Sequence, residues 1–323
     1  MGEFPSVNIG VNKENLRELI NKNYLNFAPE YLTFVVEWLT GTYRSFNDSD
    51  KYFILVYLFN KNLKFYHDNN LKSDYETFYK AEKIDIQKIN IVEIAKGLNI
   101  PKETARRKVS ELEKTGVIKK SGKYLVIDKT AFEMVKPTNT IKNLTNVLFV
   151  IYNMCKTEKM VDKNISKEDI SNAMKANFTF TWFNLYKFIF HWLNNWRTFF
   201  NNDSEMFLIW GVPVLHRTYK MKKTQKNHLD ITQYRATIEK IETEGINTMS
   251  LSEITGIPRP TVTRKLKVLM GKGYLIMDKN KLIHVGIGAA QNNEMHNIQN
   301  SVLNAFSEFC VTICNQVLLS RKS

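Results

Sequence analysis

Residues 257–273 read Ile-Pro-Arg-Pro-Thr-Val-Thr-Arg-Lys-Leu-Lys-Val-Leu-Met-Gly-Lys-Gly. A proline at the entrance, Val262, Leu266 and Leu269 at helical spacing, and Gly271 and Gly273 at the exit predict one short amphipathic helix with its start and stop signals in place. Its other face carries Arg259, Thr261, Thr263, Arg264 and Lys267. Nearly the same helix occurs in residues 100–116. There Ile100, Pro101, Thr104, Arg107, Lys108, Leu112 and Gly116 match Ile257, Pro258, Thr261, Arg264, Lys265, Leu269 and Gly273 at a constant offset of 157.

Both copies have the same setting. Upstream, Ile91-Val92-Glu93-Ile94-Ala95 with Leu98 predicts a short helix turning at Asn99, and Ser250-Leu251-Ser252-Glu253-Ile254 predicts another turning at Gly256. Downstream, Val117–Lys120 and Tyr124–Ile127 alternate around Ser121-Gly122-Lys123, as a β-hairpin should; Tyr274–Ile276 and Leu282–Val285 do so around Asp278-Lys279-Asn280. Helix, tight turn, helix and hairpin form the winged helix-turn-helix pattern.

The repeat extends along the chain. Lys13-Glu14, Leu16, Ile20, Asn23 and Tyr24 match Lys167-Glu168, Ile170, Met174, Asn177 and Phe178 at an offset of 154, as Phe34, Trp38, Leu39 and Phe46 match Phe188, Trp192, Leu193 and Phe200. Helices are predicted over 11–24, over 30–46 after an interruption at Pro29, from the cap Asn47-Asp48-Ser49-Asp50 to about His67, and over 73–81. The cap recurs as Asn202-Asp203-Ser204-Glu205, which favours helix capping over a catalytic or metal-binding role for these acids. The expected fold is mainly α with small β-hairpin wings. It comprises two tandem domains, 1–157 and 158–323, each with its own core. Each has an aromatic-rich helical subdomain, a winged helix-turn-helix (about 87–129 and 246–286) and a following helix, the two related by pseudo-twofold symmetry.

The formal charge of +14 is concentrated on the repeated elements: residues 102–129 carry +5 and residues 259–281 carry +6. That distribution points to a polyanionic partner. Cys155, Cys310 and Cys314 are too few for a disulfide framework, and Cys310 and Cys314 lie on an amphipathic helix where packing explains them. The N-terminal residues lack a signal-peptide pattern. These features lead to the expectation of a cytoplasmic, nucleoid-associated protein.

Glu93-Ile94-Ala95, Ile100-Pro101, Thr104, Arg107, Leu112 and Gly116-Val117-Ile118, with Gly256–Val262 and Gly273-Tyr274-Leu275, resemble the winged helix-turn-helix of bacterial transcriptional regulators of the MarR and IclR type. The resemblance covers roughly 40 residues in each half. It implies that the second helix of each unit enters the major groove of double-stranded DNA. The family acts as homodimers; two copies in one chain imply a monomeric pseudo-dimer or a homodimer of such chains. The candidate DNA-binding residues are Lys102, Thr104, Arg106, Arg107, Ser110, Lys119, Lys120 and Lys123 in the first unit. In the second they are Arg259, Thr261, Thr263, Arg264, Lys267, Lys279 and Lys281. Arginine pairs bidentately with guanine, threonine meets phosphate or a thymine methyl, and wing lysines neutralise phosphate. Because Glu103 faces Pro260 and Arg106 faces Thr263 in the repeat, two unequal half-sites are expected. A plasmid-type replication initiator and a winged-helix protein-interaction adaptor are the alternatives.

The run Phe178–Phe200 is too often interrupted by polar residues for a membrane span and reads as a core helix, packing against its aromatic partner at 31–46. An aromatic pocket there for a small-molecule effector is the sharper alternative. The segment with His216, Lys220, Lys222, Lys223, Lys226 and His228 reads as a solvated loop. No P-loop, GxGxxG or HExxH is present, so neither an enzyme nor a cofactor or metal site is expected.

Overall fold

The computed structural model describes residues 10–81, 83–86, 89–121, 124–128, 136–225, 228–238, 240–241, 243–290 and 292–320. Its fold is mainly helical with two small antiparallel sheets. Helices α1 (Lys13–Lys22), α2 (Tyr24–Phe46), α3 (Ser49–Asp68) and α4 (Tyr75–Lys80) precede strand β1 (Lys83–Ile86), helices α5 (Ile91–Leu98) and α6 (Lys102–Lys114), strands β2 (Ile118–Ser121) and β3 (Tyr124–Asp128), and helix α7 (Thr138–Thr157). Then come α8 (Lys167–Ala176), α9 (Phe178–Phe199), α10 (Ser204–Thr224), α11 (Ile231–Ile238), α12 (Thr248–Thr255), α13 (Arg259–Gly271), β4 (Leu275–Met277), β5 (Ile283–Val285), the single turn α14 (Ile287–Ala290) and α15 (Asn293–Ser320).

The caps fall where short polar side chains stand. Asp48 accepts from the Asp50 amide and Asp203 from the Met206 amide, each at 3.1 Å, satisfying donors that a helix start leaves free. Two boundaries differ from expectation. The helix expected over 11–24 ends at Lys22, and the next begins at Tyr24 and runs through Pro29 without interruption. Proline there forfeits one backbone bond, but Phe27, Ala28 and Pro29 are all buried, so packing holds the helix where local propensity would stop it.

The two halves do not each close a core of their own. Helix α2 packs on α10 and α7, and α9 packs on α3 and α15, so each aromatic helix lies on the third helix of the other half. Tyr57 meets Phe190 at 5.9 Å and His67 stacks on Phe183 at 4.3 Å across that contact. The two aromatic helices touch where Trp192 hydrogen-bonds the Tyr31 hydroxyl, and they also meet through α15. The Phe306 ring lies 5.0 Å from Tyr31 and 4.8 Å from Phe188. A helix apolar nearly all round needs cover on several sides, and the exchange of partners supplies it. Residues Asn293–Leu319 of α15 are long and apolar enough for a membrane span, yet Val302, Phe306, Phe309 and Ile313 are buried within this core. Cys155, Cys310 and Cys314 are buried as well; burial pushes the Cys155 thiol up to about 11 and the other two higher, as packing residues require.

Strand β1, too short for its alternation to register in the sequence, pairs antiparallel with β3, with Ile84 opposite Ile127. In the second half the bridge from Ile246 to Ile283 stands in its place among the described residues. Helix α5 approaches α3 closely at Gly97, where an added Cβ would lie 2.2 Å from a ring carbon of Tyr57. Gly97→Ala is therefore expected to destabilise the fold by about 1–3 kcal/mol through overpacking, although alanine is the better helix former. Urea denaturation checks this; an unchanged midpoint would mean that the Tyr57 ring yields.

Candidate nucleic-acid interface

Helices α5 and α6 are joined through Asn99 in the left-handed conformation (φ 50°), and α12 and α13 through Gly256 (φ 76°). Ala105, Val109 and Leu112 bury the inner face of α6, as Val262, Leu266 and Leu269 bury that of α13. Both helices end in the same way. The Val117 amide donates to Leu112 O at 3.1 Å and the Tyr274 amide to Leu269 O at 3.0 Å, around Gly116 and Gly273 at positive φ. Strand β2 pairs with β3 and β4 with β5, so a hairpin follows each helix.

The outer faces are basic. Lys102, Arg106 and Arg107 are exposed on α6, with Thr104 and Ser110 half-buried beside them; Arg259, Thr263, Arg264 and Lys267 are exposed on α13, with Thr261 half-buried. Arg106 pairs with Glu103 at 2.9 Å and Arg107 with Glu111 at 3.4 Å, exposed contacts of small worth that a polyanion can replace. Lys119 is exposed on β2, Lys120 lies on β2 opposite Leu125, and Lys123 is outside the described residues. Lys279 and Lys281 are exposed in the turn after β4, where Asp278 Oδ1 accepts from the Leu282 and Asn280 amides at 2.9 Å each. These bonds, Leu282's foremost, with one from His284, hold the Asp278 carboxyl below the usual range. The hairpins differ: exposed Ile276 and Met277 stand where the repeat has Lys119 and Lys120.

The repeated lysines Lys108 and Lys265 point inward instead. Lys108 pairs with Asp48 and Lys265 with Asp203, the N-caps of α3 and α10; Lys265 also reaches Glu205 at 3.0 Å and Lys51 reaches Glu111 at 2.8 Å. Each basic helix is thus pinned to the start of a core helix through its inward lysine, and α6 also through Glu111.

Two arginines outside the motif cross between the halves. Arg44, at the end of α2, donates from Nη2 to Glu253 O at 2.7 Å and Ile254 O at 3.0 Å, near the carbonyl end of α12. Arg197, at the end of α9, donates from Nη1 to Leu98 O at 3.4 Å, the last residue of α5, and from Nη2 to Asp50 Oδ1 at 2.9 Å and Asn202 O at 3.3 Å. Helix C-termini carry partial negative charge that a cation stabilises. Burial draws the Arg197 guanidinium below its ordinary pKa, with Asp50 and Asp203 opposing. The Asn99 side chain donates to Asn202 Oδ1 at 3.4 Å, so the turn between α5 and α6 also touches the second half. These contacts hold both two-helix units at one end of the bundle. Sequence matching misses the arginines because they stand one position out of the repeat's register.

The segment around His216 and Lys220, expected as a loop, is helical to Thr224 because Arg217, Thr218 and Met221 are buried on one side of α10; Lys226 lies outside the described residues. Among the described residues no group of three His, Cys, Asp or Glu is placed to hold a metal ion. Compared with known protein families, curated proteins and solved structures, the chain matches none.

Proposed function

We propose that the chain is a sequence-specific double-stranded DNA-binding transcriptional regulator, a single-chain pseudo-dimer of two winged helix-turn-helix units. One observation carries this reading. Two turn-linked helices, α6 and α13, expose cationic faces at the same end of one bundle, each pinned through its inward lysine to an N-cap aspartate. In that reading the outward residues of α6 and α13 meet base edges and phosphates in successive major grooves, about 34–36 Å apart. The hairpins lie beside the phosphates, the first through Lys119, Lys120 and Lys123 and the second through Lys279 and Lys281 in its turn. Exposed Ile276 and Met277 in place of Lys119 and Lys120, with the pairs Glu103/Pro260 and Arg106/Thr263, favour unequal half-sites.

Selection of bound sequences from a random duplex pool, followed by footprinting, tests the proposal. The expected result is two related, non-identical half-sites one helical turn apart; two identical half-sites would remove the claim of inequality. Affinity should also fall by roughly 10³–10⁵-fold between about 50 and about 200 mM salt if some six to ten phosphates are neutralised. Failure to enrich any duplex, with no salt dependence, would leave the protein-interaction adaptor as the reading.

A further inference from the structure

The core is unfilled between α2, α9, α10, α11 and α15. A partly open cavity of about 80 Å³ lies there, walled by Tyr24, Trp196, Trp210 and Tyr234 and rimmed by Arg235 and Gln299. Interiors are close-packed as a rule, so an apolar void is destabilising unless something occupies it. The indole N–H of Trp210, a residue only 7% exposed, meets no hydrogen-bond partner among the described residues, although buried donors are nearly always paired. At the rim, Gln299 donates to Tyr24 Oη at 2.8 Å and accepts from Arg235 Nε at 2.7 Å, while Arg235 Nη2 donates to Asn300 Oδ1 at 2.9 Å. The half-buried guanidinium is therefore oriented by neutral acceptors, and among the described residues no carboxylate pairs with it.

The repeat supplies the contrast. The Tyr24 and Tyr234 rings lie 4.8 Å apart at this cavity. Phe178, which matches Tyr24, packs instead on Phe78 at 5.1 Å and Tyr79 at 5.5 Å. One copy of the site is thus packed with the rings of Phe178, Phe78, Tyr75 and Tyr79, while the other keeps a guanidinium and an indole N–H without a partner among the described residues around open space.

We propose that this cavity binds a small molecule built of one aromatic ring bearing an anionic group, the ring among Trp196, Trp210 and Tyr24, an acceptor atom at Trp210 Nε1 and the anion at Arg235. A void of about 150 Å³ encloses benzene, so the smaller space here takes the edge of one ring and leaves the anionic end in the mouth. Val285 of β5 lines the same cavity, and its carbonyl accepts from Arg217 Nη1 at 2.9 Å. Occupancy therefore bears on the second hairpin; this coupling rests on the DNA-binding reading, whereas the binding itself does not.

Titration of the full chain with benzoate and with uridine monophosphate, followed by tryptophan fluorescence and melting temperature, tests the site. Saturable quenching with a raised melting temperature is expected for at least one: benzoate alone assigns a carboxylate ligand, the nucleotide alone a phosphate. Trp210→Phe should weaken binding about tenfold, and Arg235→Gln should do so while erasing the preference for benzoate over benzamide. Val214→Phe, which restores the ring that the repeat has at Phe59, should abolish binding without lowering the melting temperature. No saturation by either probe up to millimolar concentration, equal binding of cyclohexanecarboxylate, or binding indifferent to both Trp210→Phe and Val214→Phe would overturn the site. Saturable binding that leaves affinity for the selected DNA unchanged would overturn the coupling alone.

Discussion

Replacing Arg107 and Arg264 together by alanine is expected to weaken binding of the selected duplex by about 2–6 kcal/mol, about 1–3 kcal/mol for each arginine paired bidentately with a guanine. The two residues match in the repeat, stand exposed on the outer faces of α6 and α13, and are remote from the inner stripes Ala105, Val109, Leu112 and Val262, Leu266, Leu269. Arg107 gives up only an exposed pair with Glu111, so little stability is lost with it. Because the substitutions touch no buried contact, the denaturation midpoint should hold while affinity falls, with discrimination relaxed at one position in each half-site. A gel-shift titration of the double variant checks this, and unaltered affinity would show that these arginines do not read DNA.

Arg197→Met should have the largest effect on the fold itself, a loss of about 2–4 kcal/mol. Methionine keeps much of the volume but leaves the Asp50 carboxylate and the carbonyls of Leu98 and Asn202 without their donor, and removing one partner of a buried pair costs more than the pair contributes. Asp50 keeps 27% of its side chain exposed, which places the loss below the upper end for such pairs. Arg44→Ala, whose bonds lie near the surface, should cost under about 1 kcal/mol. Since each arginine grips the first helix of the opposite unit, both variants should also tolerate a wider range of half-site spacings. Urea denaturation and binding to duplexes with altered spacers measure the two effects separately; an unshifted midpoint for Arg197→Met would remove the clamp.

Much of the candidate site was legible in the sequence because its signals are local. Apolar spacing in α6 and α13, glycine after each helix, and asparagine or aspartate before α3, α5 and α10 act within a turn or two of the chain, and the structure places these elements as that chemistry requires. The inward role of Lys108 and Lys265 was not legible. They belong to the same cationic pattern as Arg107 and Arg264, and only the approach of Asp48 and Asp203 separates anchor from outward face. Pro29 misled for the complementary reason: a strong local breaker was overruled by burial of the residues around it.

The sequence by itself therefore determined the repeat, the order of its elements and the position of its charge, all of which follow from short-range spacing along one chain. The tertiary structure decided which half covers which. Apolar periodicity in α2 and α9 states that several faces must be buried but is silent on the partner, since α3 and α10 offer comparable apolar surfaces. The exchange of those partners, the crossing of Arg44 and Arg197, and the cavity left on one side only are outcomes of three-dimensional packing.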